Sequence, residues 1–246
     1  MDKKSAKYLK QKLTTATAIL TWELSDMWGH VSAKTADGDR FLVQHLRPPM
    51  DSSIPEDDVL EFDLQGNKLS GKRSAPEEMF FHLCPYWTRK NIGAVIHGHP
   101  PMAISLIAAG KKIIPIHQHS AIFGRGVPVS PWLYGSLQED GEKATKVMGN
   151  NCAMMIKGHG AVVVGATIEE ACINMVRLER TARMILAAAC AGKPSAIPPA
   201  AARRFHSLVG KDSNEVSADQ RRAVSQITEW HYYEHLIKKG QRWNRL

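Results

Sequence analysis

The sequence of 246 residues lacks the main features of secreted and membrane proteins. No stretch approaches the roughly 18 consecutive apolar residues that a membrane-spanning helix needs. The chain opens with Asp2 and lysines instead of the short apolar region of a signal peptide. Its four cysteines form no CxxC pair and lie in apolar contexts, which indicates buried thiols in a reducing compartment. We therefore expect a soluble, cytoplasmic protein with no membrane partner; the cysteines are Cys84, Cys152, Cys172 and Cys190.

Motifs for nucleic-acid binding are also missing. The chain has 32 Lys and Arg against 24 Asp and Glu, a formal net charge of +8 that favours an acidic partner. The basic residues are scattered, however, and no zinc-finger spacing, RNP-like motif or basic zipper organises them. We expect no nucleic acid as partner, and a small anionic carboxylate as substrate.

Strand patterns dominate the first third of the chain after an N-terminal helix. "HVSAK" and "FLVQHL" flank the turn "ADGDR" and predict a β-hairpin, and "VLEFDLQGNKL" repeats that pattern. Further strands are predicted for "IGAVIH" and for "AMMIK" and "AVVVG" around the turn "GHG". Helices and strands mix without regular βαβ alternation, which predicts an α/β layer structure around a largely antiparallel sheet.

Two capping boxes predict helix starts. Ser74 with Glu77 opens one helix, and Thr167 with Glu170 opens a longer helix that ends at Gly192. Residues 195–246 follow as a linker and a last helix, and we expect this extension to pack on the catalytic domain of residues 1–194 or on a neighbouring subunit. Because Glu77 has a capping role, Glu78 remains for chemistry, on the same helix face as His82.

Three histidines follow apolar strands and suggest a metal site. In a strand, His97 and His99 point to the same face about 6–7 Å apart along the chain, which suits two imidazoles on one cation. His159 lies between two glycines after another strand, where small neighbours leave the ring room to reach a ligand position. Three histidines with an open position form the usual catalytic metal site. The alternatives are a structural or surface HxH pair and a simple tight turn at His159.

A cupin, the other fold that uses an HxH pair, is disfavoured. Its glutamate follows within a few residues of the pair, whereas "HGHPPMAISL" supplies none.

Four linked motifs resemble the class II aldolase/adducin family, near its branch of hydroxylated aromatic or pyridine dicarboxylate decarboxylases. They are "WGHVSAK", "SAPEEMFFH", "AVIHGHP" and "MIKGHGAVVVGATIEEA". The resemblance implies an α/β/α sandwich, a divalent metal on His97, His99 and His159, and Glu78 as catalytic acid/base. It also implies a homotetramer with active sites between neighbouring subunits.

The sequence departs from the sugar-phosphate members where those bind phosphate. Their serine pair is replaced by Pro76-Glu77, which adds negative charge and removes a backbone donor, so a sugar phosphate is an unsuitable substrate. We expect four residues near the lost phosphate pocket to bind the substrate, with the planar fork of the arginine pairing with a carboxylate; they are His30, Ser32, His45 and Arg47. A surface position for the arginine remains the alternative.

His117 and His119 lie where the aldolases carry a tyrosine used for protonation, and histidine is the usual proton donor at neutral pH. We therefore predict both as catalytic, with packing at a loop and on the surface as the alternative. The resulting hypothesis is a lyase that decarboxylates a hydroxylated aromatic or heteroaromatic carboxylate. Retro-aldol cleavage of a non-phosphorylated hydroxy-keto acid, decarboxylation of an aliphatic 3-oxo acid and a non-catalytic adducin-like binding domain remain alternatives. The cofactor would be one divalent ion per subunit, and zinc, manganese, cobalt and iron all suit these ligands.

Overall fold

One sheet organises the computed structural model, which describes residues 3–46, 59–201 and 218–240. Within these ranges the sheet has eight strands in the order β4-β3-β2-β1-β5-β8-β7-β6. Every neighbouring pair is antiparallel except β6 and β7. The strands are β1 (His30–Lys34), β2 (Arg40–His45), β3 (Leu60–Asp63), β4 (Lys68–Ser70), β5 (Ala94–Gly98), β6 (Val129–Ser130), β7 (Ala153–Ile156) and β8 (Ala161–Gly165).

Helices cover both faces of this sheet, so the predicted α/β/α sandwich is confirmed. One face packs against α1, α3, α5 and α6, and the other packs against α2 and α4. The helices are α1 (Lys3–Leu24), α2 (Phe80–Thr88), α3 (Pro101–Ala108), α4 (Gln138–Met148), α5 (Ile168–Ala191) and α6 (Ala218–Lys238), with a 3₁₀ helix at Gln118–Phe123.

The two predicted helix caps have different outcomes. Thr167 is the N-cap of α5, where its side chain accepts a hydrogen bond from the Glu170 backbone N–H as predicted. The Ser74–Glu77 box is wrong, because α2 begins only at Phe80 and no side chain caps it. Residues 77–79 form a turn before the helix, and the Glu77 carboxylate contacts the Tyr134 hydroxyl instead.

The last helix packs against α1 and α5. In α6, Trp230 and Tyr233 are fully buried in the core beside α1 and α5. The Arg177 guanidinium of α5 donates to the Glu229 carboxylate of α6 at 3.0 Å, which ties the two helices together. Among the described residues, no helix combines the length and apolar character that a membrane span requires.

All four cysteines are free thiols, as expected, but they are not all buried. Cys84 and Cys172 are buried and Cys152 is half-buried, whereas Cys190 is exposed near the end of α5. The expectation of burial was therefore wrong for Cys190, because the apolar context there belongs to the last helical turns, which extend beyond the core.

Candidate metal centre and active site

Strand register brings three histidines side by side on the α2 face of the sheet. His30 of β1 is directly opposite His45 of β2 on one side and His97 of β5 on the other. Residues directly opposite each other in antiparallel strands point to the same face. The ring centroids of His30 and His97 are consequently 5.3 Å apart, and those of His30 and His45 are 5.8 Å apart.

The three predicted metal ligands surround the Glu78 carboxylate. The Nε2 atom of His159 lies 3.1 Å from Glu78 Oε1, and the Nε2 atom of His97 lies 3.7 Å from the same oxygen. One ligand atom from each of Glu78, His97, His99 and His159 falls within 4.8 Å of the other three. The four residues that the sequence selected for metal and acid/base chemistry therefore form one cluster.

Each histidine of the cluster has its Nδ1 atom engaged by an acceptor outside the cluster. His97 Nδ1 donates to Ala161 O at 3.1 Å, and His159 Nδ1 donates to Leu133 O at 2.7 Å. His99 Nδ1 lies 3.1 Å from the Asp26 carboxylate. These contacts orient each ring and leave Nε2 as the nitrogen available to a cation.

The environment of the His97 Nε2 atom favours a bound metal ion. This nitrogen is buried and has no hydrogen-bond partner. A buried polar atom without a partner is costly, and a bound cation would satisfy it. Burial also lowers the pKa of His97 well below its usual value, so the ring is neutral and can donate its lone pair. The residues present therefore fit a divalent cation.

The Gly-His-Gly turn between β7 and β8 positions the third ligand. Gly158 has a φ of +72°, which a residue with a side chain rarely adopts. At Gly160, an added Cβ would lie 2.6 Å from Gly98 O and 3.0 Å from the His99 ring. The segment is thus a tight turn that also carries His159 into the cluster, because the second glycine allows the two histidine-bearing segments to approach closely.

Both carboxylates of the site are ionised. Burial opposes ionisation of Glu78, but hydrogen bonds with His159 and His30 outweigh it and hold the pKa of Glu78 far below its usual value. For Asp26, burial is likewise outweighed by the hydrogen bond from His99, and the pKa falls to about 2. Both carboxylates are therefore hydrogen-bond acceptors at neutral pH, and Asp26 holds His99 in place.

A cleft of about 880 Å³ leads to the cluster. Glu78 and His99 lie in its lining, together with the exposed apolar side chains of Met27 and Trp28. The predicted substrate-binding residues His30 and His45 also line it. A second cavity, near Arg89 at the other end of β5 and β8, contains none of the cluster residues and is not the site of the chemistry.

Aromatic rings and cations form the rest of the cleft. The Tyr134 ring is nearly parallel to the His159 ring at 6.4 Å and to the Trp132 ring at 6.1 Å. Lys72 and Arg73 line the cleft on the segment between β4 and α2. The cleft therefore offers flat apolar surface and positive charge beside the cluster.

Ser32, another predicted site residue, does not line the cleft. Ser32 is fully buried, and its hydroxyl contacts His82 and Tyr86 behind His30. Arg47 lies outside the described residues.

His117 and His119 flank the start of the 3₁₀ helix, which packs against α5 on the other face of the sheet from α2. Burial lowers the pKa of both rings, and the cations Arg177 and Arg180 lower it further. Neither ring belongs to the four-residue cluster.

Four side chains at the site escaped the sequence reasoning. Asp26 is far from the histidines in sequence and resembles any acid after a helix, although its place just before "WGH" was a usable signal. His82 served only as a spacing marker for Glu78. Tyr86 and Tyr134 gave no signal, because their roles arise from contacts with distant segments.

The chain matches known proteins across most of its length. Residues 21–186 match the family described as Class II Aldolase and Adducin N-terminal domain. A 3,4-dihydroxyphthalate decarboxylase from Arthrobacter keyseri is 29% identical over 180 residues, covering 67% of this chain and 71% of that protein. An L-fuculose phosphate aldolase from Methanocaldococcus jannaschii is 30% identical over 159 residues, covering 64% and 83%.

Solved structures share the fold. An aldolase II superfamily protein from Pseudomonas syringae superposes with a TM-score of 0.76 at 18% identity, covering 98% of this chain and 96% of that one. The similar proteins include both aldolases and decarboxylases, which are carbon–carbon lyases. From the family match and the shared fold, the chain is a member of the class II aldolase and adducin family.

Proposed function

We propose that the chain is a divalent-metal-dependent lyase that decarboxylates a hydroxylated aromatic or heteroaromatic carboxylate. The observation that carries this proposal is the cluster of Glu78 with three histidines beside an aromatic, partly cationic cleft. The similarity to a 3,4-dihydroxyphthalate decarboxylase supports the same reaction class.

His97, His99 and His159 would hold the cation, one per subunit, and zinc, manganese, cobalt or iron are all compatible with imidazole and carboxylate donors. When bound, the cation supplies a Lewis acid that offsets negative charge developing on substrate oxygens as the carbon–carbon bond breaks. The contacts of the three rings through Nδ1 prepare this ligand set before the ion binds.

Glu78 is the proposed acid/base. Its carboxylate lies in the cleft lining and is partly exposed, so it can contact a substrate hydroxyl group and take its proton. It can later return that proton to the substrate oxygen as the product leaves. Its Oε1 atom faces His97 and His159, so the proposed proton transfer would take place beside the proposed metal ligands.

The cleft suits a flat anion. Trp28 is 77% exposed at its rim and the Tyr134 ring stacks beside His159, so an aromatic ring can lie between apolar faces. Lys72 and Arg73 supply positive charge for a carboxylate that the reaction leaves in place. Glu77 opposes a phosphate at the position where the sugar-phosphate members carry a serine.

Retro-aldol cleavage of a non-phosphorylated hydroxy-keto acid is the second candidate. The similarity to an L-fuculose phosphate aldolase favours it, and the same metal ligands and Glu78 would serve. A non-catalytic adducin-like role is opposed by the retention of all four cluster residues.

A catalytic role for His117 or His119 requires a neighbouring subunit. Both rings lie on the α5 face, whereas the cluster lies on the α2 face of the sheet. We propose a homotetramer in which these histidines protonate substrate in the neighbour's site. We also propose a cytoplasmic catalytic domain of residues 1–194, with residues 195–246 as an extension that stabilises it.

The test is a screen of hydroxylated aromatic and pyridine dicarboxylates with metal-loaded protein. Released carbon dioxide and released aldehyde are measured in parallel, and turnover in heavy water is followed by mass spectrometry of the product. Carbon dioxide release with one deuterium at the vacated carbon supports the proposal. If aldehyde is released and no carboxylate gives carbon dioxide, retro-aldol cleavage becomes the supported function instead.

A further inference from the structure

We propose that a buried hydrogen-bond chain behind His30 fixes the ring so that its Nε2–H donates to Glu78. The chain consists of His82, Ser32 and Tyr86, none of which reaches the cleft. This inference rests on the proposed function, because it makes these three side chains positioning residues for the proposed acid/base.

The four contacts are continuous and short. From the cleft inward, they run from Glu78 Oε2 to His30 Nε2 at 3.0 Å, from His30 Nδ1 to His82 Nε2 at 2.8 Å, from His82 Nδ1 to Ser32 Oγ at 2.7 Å, and from Ser32 Oγ to the Tyr86 hydroxyl at 2.7 Å. Relative exposure is 1% for His30, 0% for His82 and Ser32, and 3% for Tyr86. Water therefore has no access to replace these contacts.

The ionised carboxylate determines the direction of every bond. A carboxylate can only accept, so His30 must carry a proton on Nε2, and a neutral His30 then accepts at Nδ1 from His82. His82 consequently carries its proton on Nε2 and accepts at Nδ1 from the Ser32 hydroxyl. The Ser32 oxygen in turn accepts from the Tyr86 hydroxyl, and all four contacts are satisfied.

The reverse direction is unfavourable. It would require protons on both nitrogens of His30, which places an imidazolium at a buried position 5.3 Å from the ring of His97, a proposed ligand of a divalent cation. Burial also lowers the pKa of His82 and raises the pKa of Tyr86, which agrees with a neutral imidazole and a protonated phenol as links.

The consequence for Glu78 is a fixed carboxylate plane. His30 holds Oε2, so Oε1 is directed toward His159 and His97. Without an anchored His30, the carboxylate could rotate away from the substrate proton, because Glu78 lies in the cleft lining and its side chain is partly exposed. The chain therefore contributes to the rate through orientation and makes no contact with substrate.

The first experiment reads the tautomers directly, without turnover. Long-range ¹H–¹⁵N NMR spectra of the zinc-loaded protein distinguish protonated from unprotonated ring nitrogens, and spectra of His30→Asn and His82→Gln assign the signals. We expect Nε2–H and unprotonated Nδ1 in both rings. An Nδ1–H signal from His82 would refute the proposed direction of the hydrogen-bond chain, whatever reaction the protein catalyses.

The second experiment measures kinetics on a carboxylate found in the carbon dioxide screen. Ser32→Ala and Tyr86→Phe should each lower kcat, Ser32→Ala by about 10-fold, with KM and metal content unchanged, as for other residues that orient an active group through a hydrogen bond. Thr145→Val, which removes another buried hydroxyl on the same sheet face, is the matched control and should keep kcat. His82→Gln, which can donate and accept, should retain more activity than His82→Leu.

The two experiments separate failure of the chain from failure of the proposed function. If the tautomers are as expected but the protein releases no carbon dioxide, the decarboxylase proposal is refuted and the hydrogen-bond chain still stands. Decarboxylation with full kcat in both Ser32→Ala and Tyr86→Phe would refute the positioning role and leave the decarboxylase intact.

Discussion

Two polar networks lie on opposite faces of the sheet and supply their carboxylates with different hydrogen-bond donors. On the α2 face, the hydrogen-bond partners of Glu78 are the imidazoles of His30 and His159. On the α5 face, Glu229 accepts hydrogen bonds from the guanidinium groups of Arg177 and Arg180 at 3.0 and 2.6 Å. One network thus uses groups that can lose a proton or bind a metal, and the other uses groups that stay charged.

The α5 network is therefore suited to stabilising the fold, and the α2 network is suited to proton transfer and metal binding. A guanidinium keeps its proton and forms planar, directional pairs, so the α5 network joins α5 to α6 with fixed charge. An imidazole changes protonation near neutral pH and offers a lone pair to a metal. Substitutions in the two networks should therefore change different measured quantities, and four predictions follow this division from the largest effect to the smallest.

The largest effect is expected at the metal ligands. His97→Ala, His99→Ala or His159→Ala should each remove the bound cation and abolish turnover, because each deletes one donor of the cluster. Metal content is measured by elemental analysis, and circular dichroism checks that the fold remains. Full activity in a metal-free variant would refute the assignment.

The α5 network should respond in stability alone. Glu229→Ala leaves the buried Arg177 without its acidic partner and should lower the free energy of unfolding by about 3 kcal/mol, with metal content unchanged. The matched control is Glu234→Ala on the same helix, whose exposed pair with Lys238 should contribute less than about 1 kcal/mol. Urea titration measures both. Equal losses in the two variants would contradict the distinction drawn between the networks.

Glu78 and Glu77 are adjacent but have different partners. Glu78→Gln should slow turnover at least about 100-fold, the scale of lost general acid/base catalysis. Glu77→Gln should reduce it far less, because Glu77 contacts the Tyr134 hydroxyl at the cleft rim and not the histidine cluster. Steady-state rates decide the matter, and similar losses in both variants would show that the wrong glutamate was chosen.

The smallest effect concerns substrate charge. Arg73→Ala should raise KM for a dicarboxylate about 10-fold, the cost of one charge-assisted hydrogen bond, with kcat retained. Lys90→Ala, which removes an exposed cation after α2 and away from the cleft, is the control. Arg47→Lys tests the earlier assignment of a guanidinium fork in the same assay. If KM is unchanged in Arg73→Ala, this arginine does not bind the carboxylate.

Local patterns in the sequence predicted much of the fold and the core of the site. Strand alternation, turn residues and the Thr167 cap depend on neighbours within a few positions, and the structure reproduces them. His97 and His99 share a strand end, so their proximity was also local. The clustering of Glu78 and His159 with them came from the family resemblance, since nothing in the spacing brings those segments together.

Long-range contacts account for what the sequence did not predict. The Ser74–Glu77 box failed because the 77–79 turn is held by tertiary contacts, including a backbone hydrogen bond from Phe80 N to Gly135 O. Asp26 and His99 are 73 positions apart, and their contact depends on how α1 packs against the sheet. Ser32 was expected at the substrate, but pairing of β1 with β5 places it one layer behind His30.

The register of β1 has a practical consequence for protein engineering. One added residue within His30–Lys34 would exchange the two faces of the strand. The Val31 side chain would then point toward the site in place of His30. The opposite end of the hairpin has room for an insertion, since Gly38 in its turn has nothing within 4 Å of an added Cβ, but its φ of +78° means that the glycine itself should be kept. A fluorescent label or affinity peptide inserted at Gly38 would therefore extend into solvent, whereas the same insertion four to eight positions earlier would destroy the active site.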